Sequence, residues 1–112
     1  MYRIMSHALA TTLLALAGTV SAQSDRLEEG RQAFDRHCSE CHENPATEAP
    51  TAGDTSDWEN RSKLWEAVLS EHAQKGYLKM PAQGGAEGAT EYEVKAATEY
   101  MLTLSHPDLP HD

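Results

Sequence analysis

The strongest constraint on this chain is the pentapeptide Cys38-Ser39-Glu40-Cys41-His42, which holds its only two cysteines. The pattern C-x-x-C-H is typical of covalent attachment of a c-type haem. Two thiols at this spacing can add to the two haem vinyl groups as thioethers, and the adjacent histidine then serves as proximal ligand to the iron. The pattern therefore predicts one haem c, bound through Cys38 and Cys41, with His42 on the metal.

Other uses of a C-x-x-C pair fit this sequence less well. A thioredoxin-like redox couple needs a βαβ context, and the sequence predicts none. A zinc site needs four ligands, and beyond His37 and His42 no second cysteine pair or H-x₃-H motif completes a set. A disulfide between cysteines this close along the chain would be strained. Covalent haem is the favoured interpretation.

Composition supports a small domain that depends on a cofactor. The chain has 112 residues, 39% of them hydrophobic and only one of them Phe. That length allows one domain, and a core this thin needs a disulfide, a metal or a cofactor. The 9 basic and 18 acidic residues give a net charge of −9. A nucleic-acid-binding protein would carry the opposite sign, so that class is excluded.

Residues 1–22 are predicted to be a cleaved signal peptide. They contain one charged residue, Arg3, then a run of 13 small or apolar residues at 8–20, and end in Val20-Ser21-Ala22. This is the layout of a secretory signal with a small-residue cleavage site. The run is shorter than the roughly 20 residues that span a bilayer. We expect export to the periplasm without stable membrane insertion afterwards; an uncleaved membrane anchor is the alternative.

The remaining chain is predicted to be all-α, with a haem domain at 23–104 and a flexible tail at 105–112. No segment alternates with the two-residue period of a strand. Each of three predicted helices begins with a capping box, namely Asp25 with Glu28, Ser56 with Glu59, and Thr90 with Glu93. Gly76 suits the position just after the second helix, and Pro107 ends the third.

A haem in an electron carrier needs a second axial ligand, and the candidates are Met80, Met101, His72, His106 and His111. Met101 and His72 fall on predicted helix faces, where packing explains them, and the other two histidines lie in the tail. Met80 lies in a predicted loop next to Pro81, whose ring restricts the backbone as a ligand-bearing loop requires. Filling a gap in the core would explain Met80 equally well. A thioether ligand would raise the reduction potential relative to a second imidazole.

The sequence resembles the class I monohaem c-type cytochromes, and most closely the cytochrome c5 family, over about residues 27–104. The matching motifs, in chain order, are 38–42, 49–54, Trp58, Arg61, 80–85, 93–97 and Tyr100-Met101. The stretch MPAQGG at 80–85 is what points to c5. Many c5 proteins carry a further cysteine pair after the two glycines, whereas residues 86–89 contain none.

The resemblance implies a small all-α fold of about four helices around one covalent haem. In this family the first helix contacts an aromatic residue near the end of the last helix. The matching residues are Gly30 and Phe34 on the first helix and Tyr100 on the last. The glycine would let the two helices cross closely.

The resemblance also implies roles for individual site residues. Met80 matches the second axial ligand. Pro50 matches a proline whose carbonyl accepts a hydrogen bond from the proximal histidine, which fixes the imidazole tautomer. Trp58 and Arg61 match residues near the haem propionates.

With both axial positions filled by the protein, the iron would have no open site for a substrate. We therefore expect a one-electron carrier between respiratory-chain partners and no enzyme. Without Arg3 the chain has 8 basic and 18 acidic residues, a net charge of −10. This predicts a monomer that meets redox proteins bearing basic patches. The alternatives are a haem-bearing subunit fixed in a larger periplasmic oxidoreductase, and a haem enzyme or sensor in which Met80 leaves the iron.

Overall fold

The structure is a computed structural model that describes residues 18–61 and 66–107. In these ranges the chain forms helices α1 (Gly18–His37), α2 (Ser39–His42), α3 (Thr55–Trp58), α4 (Glu66–Lys75) and α5 (Glu91–Ser105), with a 3₁₀ helix at Ala82–Gly85 between the last two. The all-α prediction is confirmed for this part of the chain. The predicted signal segment 1–22, apart from the backbone of 18–22, lies outside the described residues, as do Leu64, Trp65 and His111.

The core lies where α1 crosses α5. Phe34 on α1 is 1% exposed, and its ring lies 5.5 Å from that of Tyr100 on α5. A Cβ atom added to Gly30 would lie 2.3 Å from the carbonyl oxygen of Ala96, so only glycine allows this approach. Trp58 from α3 and Met101 from α5 join the same cluster. The helix contact implied by the resemblance is confirmed.

Helix boundaries near the C-terminal half agree with the sequence prediction. Thr90 caps α5, with both hydrogen bonds of the capping box to Glu93 present. Helix α4 ends at Lys75, and Gly76 follows with φ +85°, the left-handed conformation that favours glycine. Helix α5 ends before Pro107, whose ring cannot continue the helix.

Two predicted helix starts are wrong. Helix α1 passes through Asp25 without a break, because the residues before it already form a helical turn and propagation needs no cap there. The predicted second helix begins earlier, because Asp54 rather than Ser56 is the N-cap of α3. It is also not a single helix, since α3 ends at Trp58, residues 59–61 form turns and α4 begins only at Glu66. The Asp54 carboxylate accepts hydrogen bonds from the backbone N–H groups of Ser56 at 3.0 Å and Asp57 at 3.4 Å. Aspartate in extended backbone is among the best N-caps.

The end of α5 reaches into the segment that was expected to be a tail. Ser105 is the last helical residue and is fully buried, and its hydroxyl accepts a hydrogen bond from Gly53 N at 3.2 Å. His106 caps the helix through its backbone N–H, 2.8 Å from Leu102 O. No helix among the described residues has the length and apolar character to cross a bilayer.

Candidate functional site

The C-x-x-C-H motif folds into a single helical turn at the end of α1. Cys38 is the N-cap of α2, and the backbone N–H of His42 donates to its carbonyl at 3.0 Å. Residues three and four apart lie on one face of a helix, so Cys41 and His42 share a face with Cys38. The two cysteines form no disulfide with each other. Burial raises the pKa of the Cys38 thiol to about 11, whereas Cys41 is exposed.

The His42 side chain is oriented as a metal ligand requires. Its ring is 8% exposed, and Nδ1 lies 2.8 Å from the carbonyl oxygen of Pro50. A carbonyl only accepts, so Nδ1 donates and the neutral ring keeps the free lone pair on Nε2. A hydrogen bond of this kind fixes the ring and raises its basicity toward a metal. The two thiols and this imidazole therefore fit the attachment of a haem c.

The loop that follows the motif holds Pro50 in place. The backbone N–H of Ala52 donates to His42 O at 2.7 Å, which folds the loop back over α2. The indole N–H of Trp58 donates to Thr51 O at 2.7 Å and ties the loop to α3. Both bonds hold the two residues directly after Pro50, so the loop keeps the Pro50 carbonyl next to His42.

Trp58 lies beside His42, and Arg61 is exposed. The Trp58 indole is 7% exposed, and its ring lies 6.3 Å from the His42 ring at an interplanar angle of 26°. Arg61 is exposed and donates to Asp57 O at 2.9 Å. It lines a polar cavity of about 300 Å³ whose wall also includes Pro50. The structure thus places Pro50 and Trp58 against His42, whereas Arg61 shares with Pro50 only the wall of this cavity.

Met80 lies in a tight turn between α4 and the 3₁₀ helix. Its backbone pairs with Tyr77 in both directions, with Tyr77 N to Met80 O at 3.0 Å and Met80 N to Tyr77 O at 2.9 Å. Pro81 follows in extended conformation. The predicted loop around Met80 is confirmed, and its side chain is half-buried.

Of the other ligand candidates, His111 lies outside the described residues, and Met101 and His72 have structural explanations. Met101 is 8% exposed in the core cluster, so the packing interpretation is confirmed. The His72 ring stacks on that of Tyr77, with centroids 3.8 Å apart. His106 caps α5.

Two contacts that join separate loops are not predicted by the sequence. The Asp57 carboxylate accepts from Thr51 N at 2.9 Å and so braces the loop that carries Pro50. An ion pair between Lys79 and Glu48 joins the Met80 turn to the same loop. No sequence signal marks these pairs, because polar residues in loops are common and their partners depend on how the loops fold.

The comparisons with known proteins agree with this geometry. The family model described as "Cytochrome C oxidase, cbb3-type, subunit III" matches residues 25–101. Four chains of solved structures match. One is the cytochrome c of "Crystal structure of electron transfer complex of nitrite reductase with cytochrome c", with 28% identity and a TM-score of 0.62, covering 69% of this chain and 94% of that one. No curated protein sequence matches significantly. Both findings support the cytochrome c class, and neither description names c5.

Proposed function

The chain belongs to the cytochrome c family whose model is described as subunit III of cbb3-type cytochrome c oxidase, and we propose that it is a periplasmic one-electron carrier. In this proposal, His42 and Met80 ligate the haem iron. Cys38 and Cys41 attach the haem c that this family membership implies. The bound group supplies a one-electron ferric/ferrous couple. The chain's own residues determine how the haem is bound and how redox partners reach it.

The contact between His42 Nδ1 and Pro50 O carries the proposal. It fixes the tautomer that offers Nε2 as a ligand, and the hydrogen bonds at Thr51 and Ala52, directly after Pro50, keep it in place. Met80, held in a paired turn, offers a thioether as the second ligand. If His42 and Met80 both ligate the iron, no coordination position would be left for a substrate, which favours electron transfer over catalysis.

The ferric spectrum of the purified holoprotein, recorded during a redox titration, tests the ligand assignment. Met-ligated ferric haem has a weak far-red band, which we expect in the wild type and not in Met80→Ala. Met101→Ala is the matched control, since this second methionine is buried in the core cluster. It should lose stability but keep the band. A band that survives in Met80→Ala and disappears in Met101→Ala would reverse the assignment.

A fixed subunit of a larger oxidoreductase is the second candidate, favoured by the subunit description of the matching family model. The structural relative instead comes from an electron transfer complex with a separate reductase. The net charge of −10 expected after signal cleavage favours brief encounters with basic partners. Stopped-flow reduction by a partner should slow as ionic strength rises. A reduction rate that does not change with ionic strength, together with co-purification at fixed stoichiometry, would favour the interpretation as a fixed subunit.

Export and subfamily are further parts of the proposal. Residues 1–22 support export, and N-terminal sequencing of the mature protein should begin at Gln23. The stretch MPAQGG at 80–85 supports assignment to c5 within the cytochrome c class. A mature protein that retains residues 1–22 would instead indicate a membrane anchor.

A further inference from the structure

The last turn of α4 and the turn that carries Met80 are joined by a pair of stacked rings. His72, on α4, and Tyr77, which follows it, have ring centroids 3.8 Å apart and an interplanar angle of 2°. Tyr77 also forms both backbone hydrogen bonds that close the turn onto Met80. The contact therefore links a helix directly to the residue that pairs with the proposed ligand.

The Met80 turn needs an external support. Leu78, inside the turn, has φ +52°, a conformation that costs free energy for a branched side chain. Its side chain is 88% exposed, so its own packing contributes little to offset that cost. Strained backbone of this kind persists only where the surrounding contacts determine it. The support lies on the α4 side.

Gly76 brings the turn onto the end of α4. A Cβ atom added there would lie 3.1 Å from Met80 O and 3.0 Å from Ala82 N. On the opposite side, the Lys79–Glu48 ion pair is exposed at both partners, with 79% and 75% of their side-chain surfaces accessible. Exposed ion pairs stabilise little. The ring stack and the close approach at Gly76 are thus the stronger restraints on the turn.

We propose that His72 and Tyr77 are positioning residues for Met80, and that their stack clamps the turn against α4 and holds the thioether on the iron. The inference rests on the proposed ligation by His42 and Met80. A ligand that belongs to the chain competes well with free ligands because the fold already holds it in place. A looser turn holds Met80 less firmly, so a small free ligand displaces it more readily. Neither ring needs to touch the iron for this effect.

Imidazole titration of the ferric holoprotein, followed by loss of the far-red band, tests the clamp. If the stack contributes the free energy typical of an aromatic pair, its loss should weaken the hold on Met80 by the same amount. We therefore expect His72→Ala and Tyr77→Ala to bind imidazole about two- to tenfold more tightly than the wild type. Alanine is the better helix former, so fraying of α4 would not explain the change at His72. His72→Phe retains a ring for stacking and should restore the wild-type affinity.

Tyr92→Ala is the matched control. Tyr92 is 55% exposed, close to the 50% of Tyr77, and its ring packs against the Arg26 guanidinium between α1 and α5. This variant should leave imidazole affinity unchanged. If the wild type shows the far-red band and His72→Ala binds imidazole with wild-type affinity, the clamp is refuted while Met80 ligation stands. A wild type without the band would refute the ligation and the clamp together.

Discussion

Replacing Gly30 by alanine tests the closest approach between α1 and α5. The new methyl group would lie 2.3 Å from Ala96 O, 3.0 Å from Tyr100 Cβ and 3.1 Å from Ala96 C. Ordinary van der Waals contact begins at 3.4 Å, so the carbonyl of α5 would have to move by about 1 Å. That atom belongs to helical backbone and cannot rotate away as a flexible side chain could.

Two opposing effects decide the sign of the change in stability. In an open helix, Gly→Ala would stabilise by about 1 kcal/mol through helix propensity. Overpacking a rigid contact costs about 1–3 kcal/mol, and a backbone collision belongs at the upper end. We therefore expect Gly30→Ala to lower the free energy of unfolding by about 2 kcal/mol. For a domain of this size that corresponds to a drop of roughly 8–16 °C in Tm.

Thermal unfolding of the holoprotein measures the effect, with Gly88→Ala as the control. No heavy atom outside the neighbouring residues lies within 4 Å of a Cβ added at Gly88. Its Tm should stay close to that of the wild type, because the new methyl group meets no obstacle. A Gly30→Ala variant as stable as the wild type, or more stable, would refute the close helix crossing.

Three further changes probe the attachment site, the ligand and an ion pair. The double variant Cys38→Ala/Cys41→Ala should lose covalent haem on a denaturing gel and unfold, and a stable haem-free helical domain would contradict the dependence on cofactor. Met80→His should keep the haem attached but lower its midpoint potential in a redox titration, because imidazole replaces a thioether. The bidentate hydrogen bond from Arg26 lowers the pKa of Glu99, so its stabilisation is present above the ordinary carboxyl pKa and is lost as pH falls through the lowered value. Glu99→Gln should therefore cost about 1 kcal/mol at neutral pH, and the difference from the wild type should vanish in acid thermal scans.

The sequence alone determined the features that depend on close neighbours along the chain. The order of Cys38, Cys41 and His42 predicted the cofactor, because one helical turn is enough to place all three on one face. The capping box of Thr90 with Glu93 is likewise local, since its donors and acceptors lie three residues apart. The start of α3 shows the limit of such signals: Asp54 and Ser56 are both good caps, and only the fold selected Asp54.

Only the tertiary structure decided how the segments meet around the site. The carbonyl of Pro50 reaches His42 because the intervening loop folds back, and the resemblance implied this contact where local pattern could not. The stack of His72 on Tyr77 joins a helix to a turn through side-chain directions that no periodicity encodes. The approach at Gly30 depends on where α5 crosses α1, more than sixty residues away along the chain. Contacts of this kind are set by the packing of the whole domain, because many polar and aromatic residues could pair and the folded backbone determines which ones come within reach.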